Sequence, residues 1–176
     1  VSQPLVATVS PALPCATHWA ALHTRARAEK VVAEWIAREG GTPYLPLARS
    51  RRVYGARVRE SWVPLLPGYV FYDAGSYDGR RALRSHKVAS VLVPPSPAGL
   101  GPDLENVARA LAALPGLRLG RQLVEPGTRV EVVHGPLAGL RGRLVRRERD
   151  SMLVLGLDFL GFGAEVSIDE ACVRAA

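Results

Sequence analysis

Apolar residues recur along this chain in two rhythms. Between about residues 26 and 39, Ala28, Val31, Val32, Trp35 and Ile36 stand at helical spacing, which gathers them on one face of a helix. Lys30, Glu34 and Arg38 follow at four-residue steps on the other side, where side chains one turn apart meet. Gly40 and Gly41 end the pattern, as glycine does past a helix C-terminus. DLENVARALAAL (103–114) is a second helix, with Leu104, Val107, Ala108, Leu111 and Leu114 on one face and Pro102 before its first turn. The second rhythm is extended. HWAALHT (18–24), TPYLPL (42–47), WVPLLPGYVFYD (62–73) and KVASVLV (87–93) read as strands, and RSRRVYGARVR (49–59) as a hairpin with Gly55 at its tip. A short helix is expected over 76–85 and a loop over PPSPAGLGP (94–102). The order β-α-β-β-(α)-β-α predicts an α+β N-terminal domain over 18–114, an antiparallel sheet with packed helices.

PGLRLGRQL breaks this pattern and marks a linker over 115–124. Beyond Pro126 the segments shorten. TRVEVV, GRLVRR, MLVLGL and AEVSI succeed one another with turns about every ten residues, the signature of a small all-β barrel over 125–174. A domain of about 50 residues is close to the lower limit for independent folding. Gly135, Gly139, Gly142, Gly156, Gly161 and Gly163 punctuate it. Each would cost about 1 kcal/mol in a helix relative to alanine, so this region is expected to keep its strands.

Composition narrows the function. The formal charge is +7, nearly all from arginine, with lysine only at 30 and 87. Such a surplus favours an anionic partner. Residues 1–117 carry 14 basic and 8 acidic groups against 9 and 8 in residues 118–176, so the attraction belongs mainly to the first two-thirds. Cys15 and Cys172 lie near opposite ends without CxxC spacing. That argues against a disulfide framework or a zinc site and fits a reducing, cytoplasmic setting. No apolar run approaches the roughly 18 residues of a membrane span. The leader VSQPLVATVSPALPCAT holds three prolines and no basic n-region; residues 1–17 read as a disordered tail rather than a signal peptide. No phosphate loop, carboxylate pair or Ser/His/Asp set stands out, and His18, His23, His86 and His134 are scattered. The chain reads as a non-enzyme without cofactor or metal.

HGPLAGLRGRLVRR (134–147) is the densest motif. Its glycines suit a barrel corner that needs positive φ. The arginines leaving it (141, 143, 146, 147 and 149) form either a solvated edge that resists strand aggregation or a nucleic-acid contact. EPGTRVEVVHGPLAGLRGRLVRR (125–147) resembles the KOW motif of NusG-family transcription factors. WAALHTRARAEKVVAEWI (19–36) resembles the opening of the NusG N-terminal domain, and PLLPGYVFYD (64–73) its P-[LF]-[FL]-P-G-Y-x-F segment. The blocks stand in the family's order, and the similarity spans about 18–174. YLPL (44–47) followed by an Arg-rich hairpin, together with MLVLGLDFLGFGAEVSID (152–169), resembles the specialised antiterminators of the UpxY, LoaP and RfaH type.

The resemblance implies an SH3-like KOW barrel. It also implies a factor that binds the clamp helices of bacterial RNA polymerase's largest subunit and the non-template DNA strand. Such a factor suppresses pausing and termination on a specific long operon. A general NusG-type elongation factor and a ribosome- or RNA-binding KOW protein are the alternatives. The resemblance carries polymerase binding onto Leu66, Pro67, Tyr69 and Phe71. Tyr69 and Phe71 are two apart on a strand and so share a face, which either meets the polymerase or fills the core. Nucleic-acid contact is carried onto Arg25, Arg27, Arg38, Ser85, His86 and Lys87; Trp35 fits helix packing better than DNA. A partner surface on the barrel is carried onto Leu137, Phe159, Leu160 and Phe162, with a ribosomal protein as the implied partner. Leu160 stands where the housekeeping factor has an aromatic, a departure from the Rho-recruiting pattern. A monomer without a membrane partner is expected.

Overall fold

The computed structural model describes residues 13–16, 18–55, 57–95, 97–117, 120–121, 127–146, 151–157, 160 and 162–176. It forms two compact units, Val1–Leu47 with Trp62–Pro102, and Ala48–Ser61 with Asp103–Ala176. Along the chain come β1 (Trp19–Thr24), α1 (Glu29–Arg38), β2 (Pro43–Tyr44), β3 (Leu47–Tyr54), β4 (Arg57–Pro64), β5 (Tyr69–Asp73), a 3-10 helix (Gly79–Ser85), β6 (Val88–Leu92) and α2 (Pro97–Ala113). Then follow β7 (Gly120–Arg121), β8 (Thr128–Val132), β9 (Arg141–Arg146), β10 (Ser151–Leu157), β11 (Phe162–Ser167) and β12 (Val173–Ala175). The fold class is α+β followed by an all-β region.

In the first unit the sheet order is β2-β5-β1-β6, with antiparallel neighbours throughout. Ala21 stands opposite Phe71 on one side and Leu92 on the other. Alternation then splits the side chains between two faces. Ala20, Leu22, Val70 and Tyr72 pack with Val32, Ala33 and Ile36 of α1 into one core. Trp19, Tyr44 and Phe71 point to the opposite face and are also buried. Their rings stand 6.0 Å (Trp19–Tyr44) and 6.4 Å (Tyr44–Phe71) apart. Gly101 of α2 lies against this face, since a Cβ there would be 3.6 Å from Trp19 Cδ1.

Several expectations change. Helix α1 starts at Glu29 because Arg27 takes a left-handed φ of 61° that halts helix propagation before it. Its buried stripe is Ala28, Val32, Ala33 and Ile36, while Val31 is 50% exposed. Residues 97–102 are helical, so α2 begins six residues before the expected start and holds Pro102 inside. Pro97 suits a first helical position. Burial of Leu100 and Leu104 offsets the backbone donor that Pro102 lacks. The 62–73 stretch is not one strand: β4 ends at Pro64, and Leu65–Gly68 turn the chain into β5. Strands β3 and β4 make a separate two-stranded ribbon whose tip Gly55 has a φ of 58°.

In the second unit six strands pair in the order β12-β8-β9-β10-β11-β7. Strand β7, within the stretch read as a linker, sets Gly120 and Arg121 beside Gly163 and Phe162. The 134–142 corner uses its glycines in two ways. Gly135 and Gly139 have φ of 89° and 84°, the left-handed region that side chains resist. Gly142 lies in β9 and is needed for space: a Cβ would stand 2.6 Å from the Val154 carbonyl oxygen. In the same unit, Arg109 of α2 donates to the Gly139 carbonyl at 3.2 Å, and Asn106 accepts from the Arg141 N–H at 3.3 Å.

Candidate functional site

Four segments of the first unit converge at the end of β1. The Thr24 N–H donates to the Gly68 carbonyl at 2.7 Å, and the Arg25 N–H donates to the Lys87 carbonyl at 2.7 Å. The Gly68 N–H in turn donates to Glu29 Oε1 at 2.7 Å. Gly68 has a φ of 87°, so the Pro-Gly pair of the turn is conformationally required there. These bonds lock the β1–α1 corner, the turn into β5 and the loop after the 3-10 helix into one surface. On it, His23 and Tyr69 stack with ring centroids 5.2 Å apart. Arg25, Arg27, His86 and Lys87 are exposed around it. His86 has a left-handed φ of 56° and caps the 3-10 helix through its N–H to the Leu83 carbonyl.

Sequence-expected residues divide between surface and interior. Pro67 is exposed and Tyr69 half-buried, whereas Leu66 and Phe71 have no exposed surface. Tyr69 and Phe71 do share a face, but in Phe71 that face is occupied by Tyr44. Arg38 lies at the far end of α1, roughly 15 Å from its start at 1.5 Å per residue, and pairs with Glu34 at 3.6 Å. It does not join the corner. Ser85 Oγ is engaged locally, donating to the Ala82 carbonyl at 2.7 Å and accepting from the Lys87 N–H at 3.1 Å. It shapes the loop that presents His86 and Lys87. Trp35 is half-buried, and its indole N–H has no acceptor among the described residues. Leu137 is buried in the glycine corner rather than presented outward, because the positive-φ turn folds it inward with Leu140. Leu160 is partly exposed. Phe159, Arg147 and Arg149 lie outside the described residues, as do residues 1–12 of the tail and most of 118–126. Phe162 is placed in β11 by its backbone.

Sequence reasoning missed Glu29. It is only 5% exposed, at the helix start where a carboxylate is favoured by the helix dipole. Its bond to Gly68 joins residues 39 apart, a pairing that no local pattern announces. Three tyrosines are shifted too. Burial raises Tyr44 and Tyr72, and raises Tyr77 with help from its bond to Glu39 at 2.8 Å. Arg81 sits over the Tyr77 ring at 5.3 Å and reaches Glu39 at 3.3 Å. Among the described residues no group of three His, Cys, Asp or Glu side chains stands together as a metal site. Nor is any described helix long and apolar enough to cross a membrane.

The geometry brings together a cationic corner and a partly exposed aromatic pair on an α+β domain. Residues 17–99 match the family model NusG, described as transcription termination factor nusG, so over this stretch the chain is similar to that family. No curated protein matched the chain significantly. Among solved structures, one concerned with domain interaction in Thermotoga maritima NusG is similar at 17% identity. It covers 90% of this chain and 96% of that one with a TM-score of 0.43. Conformation B of the MjSpt4:Spt5 complex is similar at 16% identity, covering 89% and 95% with a TM-score of 0.28.

Proposed function

We propose that the chain is a NusG-type transcription factor, of the specialised antiterminator kind, that rides on bacterial RNA polymerase and suppresses pausing and termination on a long operon. The observation that carries this reading is the Arg25 corner, built within the stretch that matches the NusG family. Pro67 and Tyr69 are the exposed rim offered to the polymerase clamp helices, with Leu66 and Phe71 as the buried support beneath it. A tyrosine with a rigid ring and a polar tip is common interface chemistry. Arg25, Arg27, His86 and Lys87 take the phosphates of the non-template strand, a contact that weakens as salt rises. The C-terminal region serves as a KOW domain, and Leu160 belongs to its partner surface for a ribosomal protein. The factor works in the cytoplasm as a monomer. It needs no catalysis, because binding an active polymerase more tightly than a paused one shifts the population toward elongation.

The test is transcription by bacterial RNA polymerase on a template with a strong pause and a downstream terminator. Wild type raises read-through. Tyr69→Ala abolishes it by losing polymerase binding, and Arg25→Ala/Arg27→Ala reduces it, with the gap from wild type widest at low salt. A wild-type chain that neither binds polymerase nor changes read-through would refute the reading.

A further inference from the structure

The β3–β4 ribbon is not used by this function. Arg49 and Glu60 meet across it at 2.6 Å. That pair fixes the faces: odd-numbered β3 positions share one face with even-numbered β4 positions. On this face lie Arg49, Arg51, Val53, Val58, Glu60 and Trp62. It is mixed, with Arg49 neutralised by Glu60 and Trp62 52% exposed. The opposite face differs: Arg52, Arg57 and Arg59 lie there, and neither strand places an acid on it. All three are exposed, and among the described residues none is ion-paired. A surface that served only solubility would intersperse both signs.

From this we infer that the Arg52/Arg57/Arg59 face is a docking surface for the backbone of duplex DNA, with the ribbon laid into the major groove. Charge complementarity selects a polyanion, and shape selects the duplex. Two strands about 4.8 Å apart, with their side chains, fit a B-form major groove about 12 Å wide. At about 3.3 Å per residue, an eight-residue strand is roughly 26 Å long and reaches phosphates on both walls. The A-form major groove of duplex RNA is too narrow for such a ribbon. Arginine contacts to phosphate set position and affinity without reading sequence.

The test uses the full chain without polymerase, so it stands or falls apart from the antitermination reading. Binding to a fluorescent duplex DNA of about 20 base pairs, long enough for nearly two turns, is followed by anisotropy across a salt series. Wild type binds the duplex DNA more tightly than duplex RNA of the same sequence. Arg52→Ala/Arg57→Ala/Arg59→Ala lowers the slope of log affinity against log salt by about 2 to 3. Arg49→Ala/Glu60→Ala, on the mixed face, leaves the slope unchanged. Should the triple variant lose its fold by circular dichroism, Arg57→Glu at one exposed site reads the same face and lowers the slope by about 1 or more. No duplex binding by wild type, an unchanged slope in a folded variant, or a preference for duplex RNA would overturn the inference.

Discussion

Strands β4 and β5 are separated by a four-residue turn and look alike in sequence, both aromatic and β-branched. Every residue of β4 from Arg57 to Val63 is exposed, whereas Val70, Phe71 and Tyr72 of β5 are buried. The difference lies in what surrounds them. β5 is a central strand between β2 and β1, and both of its faces are covered. β4 has only β3 beside it. Propensity makes a strand, but a second layer makes a core. Helix α1 touches both segments through consecutive residues and treats them differently. Buried Glu29 holds the turn into β5, while exposed Lys30 donates to the Trp62 carbonyl at 3.0 Å.

The largest effect that tests this contrast is truncation of the ring in each strand. Phe71→Ala should cost about 3–5 kcal/mol in chemical denaturation, through lost burial and the cavity left behind. Trp62→Ala should stay within about 1 kcal/mol. Equal losses would show that the ribbon has a core of its own. Next comes the α1 pair. Glu29→Ala strips the part-buried Gly68 N–H of its charged acceptor and should cost about 1.5–3 kcal/mol, with Glu29→Gln recovering part. Lys30→Ala, whose ammonium is in water, should fall below about 0.5 kcal/mol.

Alkaline titration sharpens the contrast further. Tyr72 of β5, its neighbour Tyr44 in β2, and Tyr77 have folded-state values above that of free tyrosine, near 10. The stability they confer is therefore complete below pH about 10 and is lost as pH rises through the folded values. Tyrosinate absorbance should lag behind that of the denatured chain, and unfolding should accompany the late phase. The ribbon's own ion pair is likewise a small effect: Arg49→Ala should change stability by no more than about 1 kcal/mol, less at high salt, because the pair is half in water.

The sequence revealed the ribbon well, since Gly55 between two arginine-rich runs has few other uses. It also revealed the glycine corner at 135–139, but not the turn at Pro67 and Gly68, which lies inside a stretch that reads as one continuous strand. It hid the start of α2, because PPSPAGLGP has loop composition and only the burial of Leu100 and Leu104 makes it helical. It hid the start of α1 as well, because Arg27 is not a residue that announces a left-handed φ. Alternation placed Tyr69 and Phe71 on one face but could not tell that Tyr44 covers Phe71 and spares Tyr69. Of the corner, the cations were visible one by one. Their meeting through the Arg25–Lys87 bond joins residues 62 apart and has no local signal.

The sheet order has a consequence for synthesis. β1 is made first yet lies between β5 and β6, which are made last. At about 5–20 residues per second, Trp19, Ala20, Ala21 and Leu22 wait roughly 4 to 15 s before Leu92 is made, a little longer before it clears the ribosome. The arginine ribbon, whose strands adjoin in the chain, closes on the microsecond scale of hairpins long before that. On a nascent chain the arginine-rich ribbon is therefore formed while the buried strand β1 is still unpaired.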